Sequence, residues 1–364
     1  MNRLISLDVF RGITIAAMII VNNPGSWSYV YPPLLHAEWH GWTPTDLIFP
    51  FFLFIVGVSI TLAMSRAAAN GISARVYRKI ARRTLILFLL GIGLHLYHRP
   101  LLATLRIPGV LQRIAICYAI AALLFIKTSW RTRGLLTASL LIGYYALMKW
   151  VPVPGVGAGV WTVEGNLCGH IDRLVIGVEH LYLGFFDPEG LLSTLPALAT
   201  ALLGTLAGDW MKKTGKNERM LFGLLSSGVV LTAAGLLLHP VFPINKQLWT
   251  STYVLFTGGA ALLCLSLLAA VVDLQGIKRW SFPFRVYGTN AIAVFVGSSL
   301  LVKILLEIRV GSGESVSLWA FIYRNLLASW AGNYLGSLLF PVLLMCFWLA
   351  VLTPLYRRKK YIKI

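Results

Sequence analysis

Between two long apolar runs lies His36-Ala37-Glu38-Trp39-His40-Gly41-Trp42-Thr43-Pro44-Thr45-Asp46, a stretch dense in titratable and aromatic side chains. Imidazole is the commonest general base near neutral pH, and a carboxylate (Asp46) and the amides of Asn22 and Asn23 accompany it where apolar runs meet water. A neutral His36, partly desolvated there and with its tautomer set by Asp46 or an amide, is equipped for acid/base work. His36 and His40 are also spaced i, i+4, which on a helix suits a metal. Gly41 and the prolines Pro32, Pro33 and Pro44 argue against a regular helix, so no metal is expected. Asp46 has a plainer role open to it: in the first turn of the second span, a carboxylate caps backbone N–H groups and favours the helix dipole.

Other polar groups raise the same choice between structure and chemistry. Asp187-Pro188-Glu189-Gly190 opens the sixth apolar run much as Asp46 opens the second, so its carboxylates either cap a helix or hold a polar substrate. Gln112-Arg113, Asn245-Lys246 and Asn290 interrupt apolar surroundings, where ionisable groups are costly and either satisfy another buried group or line a cavity. Asp8 and Arg11 lie one turn apart at the inner end of the first run, a spacing that permits an ion pair. Arg82, Arg83, Arg285 and the Arg357–Lys360 cluster are the candidate contacts for a phosphate-rich cosubstrate, although a membrane protein places such residues on its cytoplasmic side in any case. There is no P-loop and no G-x-G-x-x-G fingerprint.

The elements that must position these groups are membrane helices. With 57% apolar and 12% charged residues and a mean hydropathy of +0.76, the chain departs from soluble domains, which carry about 25% charged residues. A span needs roughly 20 apolar residues. Ten are expected, near 5–23, 43–64, 83–97, 109–126, 134–151, 190–210, 219–239, 249–272, 284–306 and 333–355, forming an all-α polytopic bundle, one domain over 1–364. The net charge of +19 does not indicate nucleic acid, because the cations sit in short clusters between apolar runs. Most of the 32 basic residues fall in one set of alternate loops, from Arg3 and Arg11 at one end to Arg357–Lys360 and Lys363 at the other, and Arg66 lies in that set too. This side is therefore read as cytoplasmic, with both termini inside.

Asp8 and Arg11 interrupt the first run and no small-x-small site follows it, so it reads as a retained helix rather than a secretion signal. Cys117, Cys264 and Cys346 fall in spans and Cys168 stands alone in an outer loop, which leaves no disulfide framework. The largest non-membrane piece, 152–189, opens Pro152-Val153-Pro154-Gly155 and mixes acids, His170 and His180 with apolar residues, as an ordered outer cap would. Leu318, Trp319, Phe321, Ile322, Leu326 and Leu327 suggest an interfacial helix within 310–332. His95, His98 and His239 join the other histidines at outer span ends, where amphipathic rings suit the interface.

Several strings then become specific together: Leu7-Asp8-Val9-Phe10-Arg11-Gly12, Val21-Asn22-Asn23, His36-Ala37-Glu38-Trp39-His40-Gly41, Asp46-Leu47-Ile48-Phe49-Pro50, Arg106-Ile107-Pro108-Gly109-Val110-Leu111-Gln112-Arg113, Asp187-Pro188-Glu189-Gly190, Asn245-Lys246-Gln247-Leu248-Trp249-Thr250 and Gly288-Thr289-Asn290-Ala291-Ile292. In order and content they resemble the heparan-alpha-glucosaminide N-acetyltransferase family of transmembrane acyltransferases, in its bacterial NagX form. The resemblance implies acetyl transfer from cytosolic acetyl-CoA to an amino sugar across the membrane, in a multi-pass protein of the bacterial inner membrane that forms a homodimer. It maps the family's catalytic histidine onto His36 and its active-site asparagine onto Asn22. The large lumenal N-terminal domain and extra first span of the animal enzymes have no counterpart in this sequence. Free glucosamine or a cell-wall or chitin-derived sugar is thus expected in place of heparan.

On this reading His36, Asn22 and Asp46 are catalytic, Asp187, Glu189, Asn245, Lys246, Gln112 and Arg113 bind the sugar, and Asp8, Arg11, Arg82, Arg83, Arg285 and Asn290 bind the acetyl-CoA cosubstrate. His36 acts as general base or as a transient acetyl carrier, two routes the sequence does not separate. Two other classes remain open: a sugar or small-solute transporter, which also suits ten spans and broken polar segments, and a scaffold, which leaves the intramembrane ionisable groups without a role.

Overall fold

The computed structural model describes residues 4–69, 73–98, 102–182, 184–311 and 315–361. Arg3 and Lys363, and the side chains of Arg66 and His98, lie outside what is described. The long helices follow the apolar runs: α1 Ile5–Asn22, α2 Ile48–Ala69, α3 Ala74–His98, α4 Val110–Lys127, α5 Trp130–Trp150, a short α6 Leu167–Val175, α7 Thr194–Thr214, α8 Glu218–Leu237, α9 Ser251–Leu268, α10 Phe282–Thr289 and α11 Ala291–Glu307. Short α12 Leu318–Phe321 and α13 Ser329–Ala331 flank a π-helical turn, Ile322–Ala328, and α14 Asn333–Arg357 closes the order. The helix expected within 310–332 corresponds to this helical run, 318–331. The only strands among the described residues are β1 Arg309–Val310 and β2 Val316–Ser317, an antiparallel pair. The protein is all-α and polytopic.

Seven of these helices are long and apolar enough to cross a membrane, and an eighth span is possible where α10 and α11 meet at 84°. The expected span 284–306 is therefore bent, as in a broken span or a re-entrant loop. Asn290 sits at the break, and its Nδ2 donates back to Val286 O at 3.2 Å, a local bond that competes with helix propagation. The expected spans 134–151 and 190–210 appear as α5 and α7, each 21 residues. Polar and small residues dilute their apolar content, and Arg133 of α5 is ion-paired with Asp209 of α7.

Among the described residues the chain forms two compact units: 38–42 with 49–270, and 4–37 with 43–48 and 271–361. In the first unit α2 crosses α7 backbone to backbone. A Cβ on Gly57 would run into Ala201 O, and one on Gly204 into Phe54 O, so only glycines let these helices approach so closely. The expected cap, 152–189, contains residues that pack on the helices of this unit. Asn166 caps α6 by accepting from Gly169 N at 2.7 Å, and Leu167 and Cys168 bury against Tyr144, Phe242 and Leu248.

In the second unit Asp273 caps α1, its carboxylate oxygens accepting from Ile5 N and Ser6 N at 3.2 Å each. Gly12 and Gly288 allow α1 and α10 to touch through their backbones. Pro341 inside α14 cannot donate to Ser337 O one turn back. Gly25 N does so instead, at 2.9 Å. Ser26 N donates to Ser337 Oγ at 3.0 Å, which fixes the chain just beyond Asn22 and Asn23.

Candidate functional site

His36 lies in the second unit, on the irregular chain after the 3-10 turn Pro32–Leu34. Its Nδ1–H donates to Asp46 Oδ1 at 2.6 Å, and the ring is 42% exposed while the carboxylate is 1% exposed. A carboxylate only accepts, so Nδ1 carries the proton and the lone pair of the neutral ring is on Nε2. The other carboxylate oxygen, Oδ2, accepts from Ala37 N at 3.1 Å and Thr43 N at 2.9 Å. The residues before and after Glu38–Trp42 are thus drawn to one oxygen atom.

The two roles the sequence left open for Asp46 are both filled. It is the N3 residue of a capping box with Thr43 that opens the 3-10 turn Pro44–Leu47 ahead of α2, and it orients His36. Thr43 Oγ1 lies 2.6 Å from Leu35 O and 3.2 Å from Asp46 Oδ2, and Thr45 Oγ1 donates to Pro33 O at 3.1 Å. Neither threonine stood out in the sequence. Asn22 ends α1 in the same unit with its side chain exposed, whereas Asn23 is buried and donates to Ile19 O at 2.8 Å. Of the two amides, Asn22 is the one open to a ligand.

Also in this unit, Asp8 and Arg11 pair at 3.6 Å and Arg11 Nη1 donates to Gly288 O at 3.2 Å, so α1 and α10 are linked where the sequence placed cosubstrate contacts. Buried Asn290 lies at the helix break. Arg285 keeps a buried Nε with no hydrogen-bond partner among the described residues.

The expected sugar contacts all lie in the first unit, and several are occupied by structural bonds. Asp187 is clamped by Arg106, Nε to Oδ2 at 2.8 Å and Nη2 to Oδ1 at 2.7 Å, and Arg106 Nη2 also reaches Glu189 at 2.5 Å. Tyr182 N and Glu189 N complete the Asp187 shell. The segment Asp187–Gly190 does not cap α7, which starts at Thr194. It is turned inward against Asp172, whose Oδ1 accepts from Leu191 N at 2.9 Å. Burial outweighs these bonds and pushes the Asp172 carboxyl up to about 6. Arg106 and Asp172 were overlooked as site residues. The available signal was charge: Arg106 is a cation among acids in loops otherwise read as poor in them.

Asn245 is fully buried, and its Oδ1 accepts from Leu248 N at 2.8 Å. Its Nδ2 donates to Trp39 O at 2.8 Å and approaches His40 Nδ1 at 3.3 Å. His40 titrates below the usual histidine range because burial, and secondarily His239, disfavours its cation. Lys246 is half-buried beside Asn245. Gln112 Nε2 donates to Ile107 O at 3.1 Å.

Arg113 is 1% exposed. Its Nη2 donates to Gly190 O at 3.0 Å and Ser193 Oγ at 2.5 Å, and the guanidinium lies 5.2 Å from the Trp249 ring centre. Its Nε and Nη1 are buried without partners among the described residues. Arg82 is exposed. Arg83 stacks over Tyr118 at 4.7 Å and likewise leaves Nε buried and unmatched. Among the described residues no cluster of three or more His, Cys, Asp or Glu side chains is placed to hold a metal ion.

This arrangement holds an exposed imidazole on a buried carboxylate, as a base for proton transfer requires, in a chain with several membrane-crossing helices. Residues 3–237 match the family model described as heparan-alpha-glucosaminide N-acetyltransferase, catalytic. The chain is similar to human heparan-alpha-glucosaminide N-acetyltransferase, 33% identical over 355 residues that cover 81% of this chain and 52% of that protein. To the mouse protein of the same name it is 31% identical over 360 residues, covering 82% of this chain and 54% of that one. The chain spans about half the length of these curated relatives. The matched region contains Asn22, His36, Asp46 and both carboxylates of the Arg106 clamp, and it is on this footing that the chain belongs to the heparan-alpha-glucosaminide N-acetyltransferase catalytic family.

Proposed function

We propose that the chain is an acetyl-CoA-dependent N-acetyltransferase acting on the amine of glucosamine or a related amino sugar, with His36 as general base. The observation that carries this reading is the 2.6 Å bond between His36 Nδ1 and the buried Asp46 carboxylate. An amine attacks an acyl carbon only as the free base, and forming the amide releases a proton. His36 Nε2 takes that proton, the imidazolium formed is stabilised by Asp46, already desolvated and hydrogen-bonded, and the proton passes on to the thiolate set free as the acyl C–S bond breaks. The exposed amide of Asn22 is the donor for the oxyanion that develops on the carbonyl.

Acetyl-CoA, when bound, supplies the acetyl group. Its phosphates suit Arg285, which lies in the same unit as His36 and whose buried Nε lacks an acceptor among the described residues, with Asp8, Arg11 and Asn290 at the α1–α10 contact as further candidates. Within the first unit, Arg113 and Lys246 are the cations suited to a polar ligand. Asp187, Glu189, Gln112 and Asn245 support that region through the bonds described above. The basic loops face the cytosol, and His36 works at the opposite leaflet of a bacterial inner membrane. The bilayer and the amino sugar are the partners of this reading, and the homodimer implied by the resemblance is tested by mass in detergent.

Purified protein in liposomes, given acetyl-CoA and glucosamine, is expected to release CoA thiol, and His36→Ala to release none above background. Release undiminished in His36→Ala removes the mechanism. The bend at Asn290 also suits solute movement. Uptake of unmodified sugar into the same liposomes without thiol release supports that second reading.

A further inference from the structure

The hydroxyl of Thr43 has one proton and two acceptors, Leu35 O at 2.6 Å and Asp46 Oδ2 at 3.2 Å. Its oxygen also closes the capping box with the Asp46 backbone. Leu35 O belongs to the planar peptide whose nitrogen is that of His36, so the hydroxyl grips the backbone from which the imidazole hangs. The Thr43 N–H meanwhile donates to the oxygen of Asp46 that does not bind the ring.

One side chain thus touches both members of the His36–Asp46 pair at points away from the bond between them. No structural need for a turn or a cap explains this. A capping box uses the threonine hydroxyl as an acceptor, and the bond to Leu35, eight residues upstream, is extra to it. Thr45 repeats the pattern one step out by holding Pro33 O.

We infer that Thr43 is a positioning residue for the acetyl transfer, locking the imidazole of His36 in the Nδ1–H tautomer and in register with Asp46 without touching substrate. The inference rests on the assignment of His36 as base. Thr43→Val keeps the shape of the side chain and the backbone N–H but removes the hydroxyl, and Thr43→Ser restores it.

The test measures kcat and KM for glucosamine in liposomes, together with imidazole 15N spectra of histidine-labelled protein assigned with His36→Gln. Thr43→Val is expected to lower kcat roughly three- to tenfold, the scale of one neutral hydrogen bond. Its KM should stay within about twofold of wild type, a change too small to indicate a lost binding contact. The His36 signals should change from one tautomer to a mixture, and Thr43→Ser should recover both rate and spectrum. Thermal unfolding of the three proteins separates this from a folding defect: a loss of rate that follows loss of folded protein, with an unchanged His36 spectrum, overturns the inference. So does full activity of Thr43→Val. If His36→Gln is itself fully active, the assignment of His36 fails instead, and the two failures are distinct.

Discussion

Replacing Asp46 by Asn tests the whole assignment of His36. The carboxylate accepts from His36 Nδ1 on Oδ1, and from Ala37 N and Thr43 N on Oδ2. An asparagine in the same place has one acceptor oxygen. Two backbone donors cannot change into acceptors, so they hold that oxygen at the Oδ2 position, and the amide NH2 faces His36. The ring then meets a donor at Nδ1 and adopts the Nε2–H tautomer, which has no lone pair on the nitrogen assigned to take the proton. Loss of the charge-assisted bond costs about 1.5–3 kcal/mol, roughly 10- to 150-fold in rate. The wrong tautomer adds to this, so kcat is expected to fall at least ~100-fold. At the N3 position the asparagine oxygen still accepts from Thr43 N, so the turn before α2 should survive and the midpoint of thermal unfolding should change little. Thiol release from acetyl-CoA with glucosamine measures the rate. A kcat for Asp46→Asn within threefold of wild type, in protein that unfolds at the wild-type temperature, refutes the reasoning.

Arg106→Ala leaves Asp187 buried and without its cation, which is expected to destabilise the protein by about 3–5 kcal/mol, read as a lowered unfolding temperature. A smaller loss in the double variant Arg106→Ala, Asp187→Asn is the accompanying check. Asp172 titrates near 6 when folded, above its unfolded value of 3.8, so the folded state binds the extra proton. Stability is therefore fully favoured below about pH 4 and declines as pH rises through about 6, by roughly 3 kcal/mol from this group alone. The pH dependence of unfolding should lose that component in Asp172→Asn, and identical curves for the two proteins argue against it. Ser28→Cys, exposed in the loop before His36, should react with a membrane-impermeant thiol reagent from outside oriented cells. Labelling only after the membrane is opened places the loop in the cytosol and removes the proposed topology.

The sequence by itself determined the helices and the chemistry available at their ends, because hydropathy is a local property: a run of apolar residues crosses a bilayer wherever its neighbours lie. It also singled out His36 and Asp46 for the proposal, through residue type and their place between two expected spans. Only the tertiary structure decided partnerships. Arg106 meets Asp187 across 81 residues and Asn245 meets Trp39 across 206, so residues expected to contact substrate also bracket the fold. Thr43 reaches back to Leu35 O because the chain doubles on itself between them, and no periodicity records such a return. The break at Asn290 was equally hidden, since 284–306 is apolar enough for one span and the 84° turn depends on how Asn290 bonds within the packed helices. Burial energies are written along the chain, but which buried or half-buried polar groups meet depends on the geometry of packing.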